Sequence, residues 1–340
     1  MSNLPTLAIR LCGISLALSA ALSGKAFAQS LEPANYDPDR DGTFANLFKP
    51  MNFFTDGDGK LLIIEHDRKG PRKPYAPLSV LRTRKEIAFP DGSTSKGNAN
   101  AFLVSPCFAL TNYHAVFGKA TPPTSVREVE REFSVDFTVV DESDRMSKVI
   151  KATPIKWGSF YDSDFKIRTD DWALLRLNEC WGEEIGWIDT KRVTDTEMVG
   201  AQVHGSFYLD GKAGDKITTG IPCTITSIVT GSGEKGLLNS CSSRPGTSGS
   251  PLFIVDNGIP YAFAMQAAEL NRDATPQPFS EERANVAIDL DIVFDSIWDV
   301  VEADKVRFLK KIANVYRKER GSEIPSNYNP AHDPKGSLRH

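Results

Sequence analysis

After its first 30 residues this 340-residue chain has no long apolar run, so nothing beyond them reads as a membrane-spanning helix. It also lacks an excess of one charge. Forty Lys and Arg stand against 44 Asp and Glu, a formal charge of −4, which gives no reason to expect nucleic acid as a partner. Nor is it short of apolar residues: 40% apolar against 25% charged excludes a disordered or fibrous chain. Its length can hold two medium domains or one large two-lobed one. Histidine and cysteine are scarce, five of each, so each can be weighed in turn.

What is present begins with Arg10, an apolar run from Leu11 to Leu22 too short to span a bilayer comfortably, and the small-residue site Ala26-Phe27-Ala28. This pattern predicts a signal peptide over residues 1–28, cut after Ala28. The mature chain is then exported, periplasmic or secreted, with no stable membrane association. Losing Cys12 leaves Cys107, Cys180, Cys223 and Cys241, an even number in an oxidising compartment, with three pairings open. Residues 29–75 read as an extension or linker. Asp37, Asp39, Asp41 and Gly42 imitate the start of a calcium loop, but Phe48 stands at the twelfth position where a carboxylate belongs. Solvated turns are therefore expected there, and no metal or cofactor. Asp56-Gly57-Asp58-Gly59 is a turn signal, and Arg68 to Pro74 is basic and proline-rich, as in an exposed linker or processing site.

From about Ala76 short apolar or alternating runs are punctuated by Gly, Pro, Asn and Asp. The first series is Leu78–Leu81, Ala101–Val104, Phe108–Thr111, Phe137–Val140 and Trp172–Leu177. The second is Ala201–His204, Cys223–Val229, Pro251–Val255, Tyr261–Gln266 and Asn285–Ile288. Such strands predict an all-β sandwich or barrel architecture. The turn-rich stretch Gly182 to Gly200 divides the series, giving lobes over 76–190 and 191–290. After Asp289 the period becomes helical: Val293, Ile297, Val301, Phe308 and Ile312 recur at three-to-four spacing, acids lie early and bases late. One helix over 291–320 is expected, or two divided near Ala303-Asp304, then a disordered polar tail over 321–340.

The chemistry centres on Cys241-Ser242-Ser243-Arg244-Pro245-Gly246-Thr247-Ser248-Gly249-Ser250-Pro251. Small residues leave the Ser248 hydroxyl accessible at a tight turn, and Gly246 can turn its N–H outward. A nucleophile beside such donors suits acyl transfer, although a plain surface turn has the same composition. The serine needs a base. His332 and His340 lie in the tail, His66 in a charged linker and His204 in a strand, whereas His114 ends an apolar strand, a position that packing histidines also take. The imidazole needs a carboxylate. Asp171 directly precedes the strand Trp172–Leu177, while Asp170 is one residue farther out and on the opposite face.

Three segments resemble the trypsin-like, chymotrypsin-fold serine peptidases: Leu110-Thr111-Asn112-Tyr113-His114-Ala115, Asp171-Trp172-Ala173-Leu174-Leu175-Arg176-Leu177, and Gly246-Thr247-Ser248-Gly249-Ser250-Pro251. They stand in that family's order, and the resemblance covers about residues 76 to 300. It implies two six-stranded antiparallel β-barrels with a cleft between them and a C-terminal helical extension. In the implied endopeptidase His114 is base and then acid, Asp171 orients it, and Ser248 attacks through an acyl-enzyme. The N–H groups of Gly246 and Ser248 form the oxyanion hole. A protein or peptide is the implied substrate, contacted by Ser242, Ser243, Gln266, Ala267 and Ala268. The same resemblance supports pairing Cys107 with Cys180 and Cys223 with Cys241, the latter two bracketing a hairpin-sized segment.

Departures from the family pattern also carry expectations. Thr247 replaces the aspartate that would pair with a newly cut N-terminus, so cleavage in the Arg68–Lys73 linker is not expected to be needed for activity. Ser242 replaces the aspartate that selects Lys or Arg, which disfavours basic specificity; Arg244 could favour an acidic residue or be solvated at the rim. An α/β-hydrolase needs a glycine where Ser250 stands and a histidine after the serine, where only His332 and His340 remain. A catalytically silent, protease-like binding module is the competing reading, and its usual mark, a missing triad member, is absent. The segment after Ile288 is too short for a peptide-binding domain of a chaperone-peptidase.

Overall fold

The computed structural model describes residues 54–55, 63–66, 80–88, 94–117, 135–140, 147–158, 170–208, 217–220, 223–231, 234–243, 246–257, 259–269 and 277–320. The stretches read as a signal peptide, a calcium-like loop and a polar tail, together with Arg68–Pro74 and Arg244, lie outside these residues.

Seventeen strands are described: β1 Phe54–Thr55, β2 Ile63–His66, β3 Val80–Ala88, β4 Thr94–Leu103, β5 Phe108–Thr111, β6 Val135–Val140, β7 Ser147–Trp157, β8 Ala173–Leu177, β9 Asp189–Thr190, β10 Gln202–Tyr208, β11 Ile217–Gly220, β12 Cys223–Gly231, β13 Glu234–Asn239, β14 Pro251–Asp256, β15 Ile259–Glu269, β16 Gln277–Pro278 and β17 Asn285–Asp289. Six of them close an antiparallel barrel in the order β3-β4-β5-β8-β7-β6. Side chains alternate across its wall, as strand geometry requires. Ala101, Leu103, Ala109, Leu175 and Leu177 fall in one buried cluster, and Phe102, Leu110, Trp172 and Leu174 in another. This is why Leu174 and Leu175 are both fully buried although adjacent.

The second sheet runs β12-β13-β17-β15-β14-β10-β11-β2, with β9 parallel to β15 and an additional pairing of β12 with β10. That pairing is antiparallel, Gln202 opposite Thr224 and Val203 opposite Cys223. Val203, Ile225, Leu237, Leu252, Phe263, Ala264 and Ala287 fill a core of their own. β2, from the stretch read as linker, pairs with β11 along Ile217↔His66 to Gly220↔Ile63, so the extension contributes backbone to this sheet.

β7 is an eleven-residue strand that the apolar pattern did not announce. Ile150 and Ala152 are buried while Lys151 is exposed, but Lys and Pro154 interrupt the apolar signal. A proline is tolerated in a strand at a bulge, and the register with β8 shifts between Pro154 and Lys156. Cys107 is bonded to Cys180 and Cys223 to Cys241, the latter at the foot of the β12–β13 hairpin.

The C-terminal helix Asp291–Arg320 is one unbroken element of 30 residues, and no described helix is long and apolar enough to cross a membrane. Asp289 caps its start, Oδ1 accepting the Asp291 N–H at 3.0 Å. Val293, Phe294, Ile297 and Val301 share the cluster that joins Phe102 and Leu174 of the barrel to Phe253 and Met265 of the second sheet. Phe308 and Ile312 pack in the cluster of Tyr113, Phe117 and Trp187, with Phe308 edge-on to Trp187 at 5.7 Å between ring centres. Each such side chain contributes about 1.5–3 kcal/mol when fully buried. Of the one or two helices that the sequence left open, the chain forms one, and Asp304, where a break could have fallen, faces inward. Its Oδ2 accepts from Ser105 Oγ at 2.8 Å and from the Cys107 N–H at 2.7 Å, and its Oδ1 accepts from Arg307 Nε at 3.1 Å.

Candidate functional site

β5 and β8 pair antiparallel, with Thr111 opposite Ala173. The chain therefore leaves β5 beside the point where it enters β8. Past Thr111 it turns into the short helix Tyr113–Phe117, and just before β8 lie Asp171 and Trp172. That register brings His114 and Asp171 together, 57 positions apart. Nδ1 of His114 lies 2.6 Å from Asp171 Oδ2, and the backbone N–H of His114 donates to Oδ1 at 2.9 Å. Asn112 Nδ2 donates to the Asp171 carbonyl at 3.0 Å.

Both partners are buried, Asp171 at 2% and His114 at 9% exposure. A carboxylate against Nδ1 keeps the proton on that nitrogen and leaves the Nε2 lone pair as the acceptor. The buried phenol of Tyr113 is raised above its ordinary pKa by burial and then by the charge of Asp171. Asp170 is engaged elsewhere, accepting from the indole N–H of Trp172.

The Ser248 turn is built on two glycines in the left-handed region, Gly246 at φ 88° and Gly249 at φ 82°. Gly249 is packed so closely that a Cβ would fall 1.9 Å from the carbonyl oxygen of Asn100 and 2.5 Å from Thr111 Oγ1. The turn thus abuts β4 and the end of β5 that leads to His114. Asn100 holds it at two points. Its backbone N–H donates to Ser248 O at 2.7 Å and its Nδ2 to Gly246 O at 2.6 Å. Ser248 Oγ lies 3.5 Å from the carbonyl of Ala267. Among the described residues the Gly249 N–H donates to Gln266 O and the Ser250 N–H to Thr247 O, whereas the N–H groups of Gly246 and Ser248 meet no acceptor.

Of the remaining site residues read from the sequence, Ser242, Ser243 and Gln266 are each buried. Asn239 accepts the Cys241 N–H at Oδ1 (3.2 Å) and donates from Nδ2 to Asn285 O (3.1 Å), which fixes its amide orientation. Nδ2 also lies 3.3 Å from Gln266 Oε1, turning Gln266 Nε2 toward Ser243 Oγ at 3.5 Å. Ala267 is partly buried and Ala268 belongs to the core cluster of Tyr113. His204 is remote in role: its ring stacks on Phe253 at 5.5 Å, and burial lowers its pKa. The sequence reading missed Asn100 and Asn239. The available signal for Asn100 was a polar residue inside the run Ala99-Asn100-Ala101-Phe102.

No protein-family model and no curated protein sequence matches the chain. Among solved structures it is similar to the HtrA-type protease AlgW with tripeptide, at 14% identity and a TM-score of 0.45 over 67% of this chain and 62% of that one. It is likewise similar to a Glu endopeptidase in complex with MPD, at 13% identity and a TM-score of 0.45 over 69% of this chain and 95% of that one. At this distance the functional reading rests on the side chains themselves.

Proposed function

We propose that the protein is an exported serine endopeptidase in which Ser248, His114 and Asp171 act as nucleophile, base and orienting carboxylate. The observation that carries this reading is the double hydrogen bond from His114 to Asp171 at the end of the strand against which the Ser248 turn is seated. Ser248 Oγ attacks the scissile carbonyl carbon while its proton passes to His114 Nε2. The carbonyl oxygen, now an oxyanion, is received by the N–H groups of Gly246 and Ser248. Collapse breaks the C–N bond, the leaving amine takes the proton from Nε2, and water repeats the sequence on the acyl-enzyme. No step calls for a metal or cofactor.

In this reading the lobes are residues 76–190 and 191–290, and the β12–β10 pairing closes six strands of the second sheet into a second barrel. The cleft between them receives a peptide, and the side chain preceding the scissile bond meets Ser242, Ser243 and Gln266. These are neutral groups, and nothing among them favours Lys or Arg. The two disulfides fit an oxidising compartment.

The test is labelling of the mature protein with a serine-directed fluorophosphonate, expected for the native chain and abolished in Ser248→Ala. A native protein that takes no label would leave a protease-like binding module instead. A peptide-library cleavage profile then gives the preferred residue.

A further inference from the structure

We infer that Asn100 is a positioning residue for the oxyanion hole, holding from the first lobe the turn that carries both donors in the second. This inference rests on the reading of Ser248 as the nucleophile.

A peptide unit is planar, so a held carbonyl fixes the direction of the whole unit. Three consecutive units run through the turn from Gly246 to Gly249. The last of them, Ser248–Gly249, is held on both edges: its carbonyl accepts from the Asn100 N–H and its N–H donates to Gln266 O at 2.9 Å. The middle unit, which carries the Ser248 N–H, is held by the local bond from the Ser250 N–H to Thr247 O at 3.0 Å. The first unit, Gly246–Thr247, has its carbonyl held by the side chain of Asn100 at 2.6 Å.

That first unit matters because Gly246 is the residue at which the turn can rotate most cheaply: glycine passes between φ signs without a Cβ penalty. The N–H of Gly246 belongs to the unit before it and is tied to this carbonyl only through the two rotatable bonds at the Gly246 Cα, so a free carbonyl would let it swing off the oxyanion position. A side-chain amide from β4 opposes that rotation. The acceptor is a carbonyl, so the NH2 of Asn100 must face it. Asn100 is itself rigid: it is 1% exposed, and its own carbonyl accepts from Thr111 Oγ1 at 2.7 Å. Thr111 is three residues before His114, so one strand end sets both the base and the donor turn.

The experiment compares the native protein with Asn100→Ala and with the near-isosteric Asn100→Asp, which replaces the donor by an acceptor. The rate of fluorophosphonate labelling reads the oxyanion hole, because the phosphoryl oxygen occupies it. The low-field proton resonance of His114 Nδ1–H reads the His–Asp pair, which a purely structural role would disturb as well. A misplaced donor turn is expected to slow labelling about 10- to 100-fold in both variants, with the resonance retained and the protein still folded at the assay temperature, although each variant melts lower because a buried partner is lost. Native-like labelling of both variants overturns the inference, as does a slowing accompanied by loss of the resonance. Unfolding of both variants makes Asn100 a folding residue and also overturns it. A native protein that is not labelled removes the catalytic reading and this inference together. Labelling lost in Ser248→Ala but normal in the Asn100 variants removes the inference alone.

Discussion

Asp171 grips His114 twice, through the ring at Nδ1 and through the backbone N–H, one oxygen to each. Exchanging that carboxylate for an amide reverses the preferred tautomer. Asp171→Asn is expected to lower kcat by about 10⁴-fold with little change in fold, the magnitude such a change has in trypsin-type triads. Asp170→Asn, one residue away and bonded to Trp172, is expected to leave kcat within a few-fold of the native value. Steady-state kinetics on a peptide from the cleavage profile distinguishes the two, and the opposite ranking would reassign the carboxylate.

Two glycines with the same backbone angle separate crowding from strain. Gly200 (φ 83°) has open space around its Cβ position, whereas Gly249 (φ 82°) meets Asn100 O and Thr111 Oγ1. Gly200→Ala is expected to cost only the backbone penalty of about 1–2 kcal/mol. Gly249→Ala must also push the Ser248 turn off β4, so it should cost more and abolish labelling of Ser248. Urea unfolding with parallel fluorophosphonate labelling checks both outcomes.

Asp304 fastens the C-terminal helix to the turn before β5. Asp304→Ala leaves the Cys107 N–H and the Ser105 hydroxyl without their acceptor, and an orphaned buried group costs about 1–3 kcal/mol. Glu302→Ala removes an i,i+3 partner of Lys305 from the same helix and is expected to cost no more than about 1 kcal/mol. Denaturant midpoints of the two variants should differ accordingly. Truncation before Asp304 also deletes Phe308 and Ile312 from the core and is expected to give insoluble protein.

The His204 ring, stacked on Phe253, has its pKa lowered by burial. The unfolded chain therefore binds the proton more readily than the folded one. The stabilising difference is complete above the ordinary histidine pKa and declines as pH falls from there toward the folded value. Between pH 7.5 and pH 5 the native protein should lose more thermal stability than His204→Phe, which keeps a ring on Phe253 and cannot charge. Equal losses would show that this histidine does not contribute.

The disulfides differ in the loops they close, 73 residues for Cys107–Cys180 and 18 for Cys223–Cys241. Loop entropy assigns them about 4.4 and about 3 kcal/mol respectively. Replacing each pair by serine and comparing urea midpoints should rank the losses in that order. The first loss is expected to be larger still, because Arg307, whose guanidinium approaches Cys107 Sγ at 2.9 Å, braces the helix there.

The strands around the site were legible because they are short apolar runs: Phe108–Thr111 and Cys223–Val229 fall within described strands of the same or nearly the same extent. β7 escaped because lysines and a proline at a bulge hide its alternation, and β2 because its pairing partner lies about 150 residues later. Whether residues 291–320 form one helix or two stayed open in the sequence, because the donors that Asp304 meets, the Ser105 hydroxyl and the Cys107 N–H, lie about 200 positions earlier.

The residue types by themselves narrowed the candidates for chemistry to a few side chains. Few histidines exist, one ends an apolar strand, one carboxylate opens another such strand, and glycines stand on both sides of Ser248. Only the folded chain decided what holds them. Asn100 reaching Gly246 and Ser248, Asn239 orienting Gln266, and Asp304 meeting Cys107 all join positions tens to hundreds of residues apart. A hydrogen bond depends on a few tenths of an ångström and an angle, and no local pattern of hydrophobicity records either.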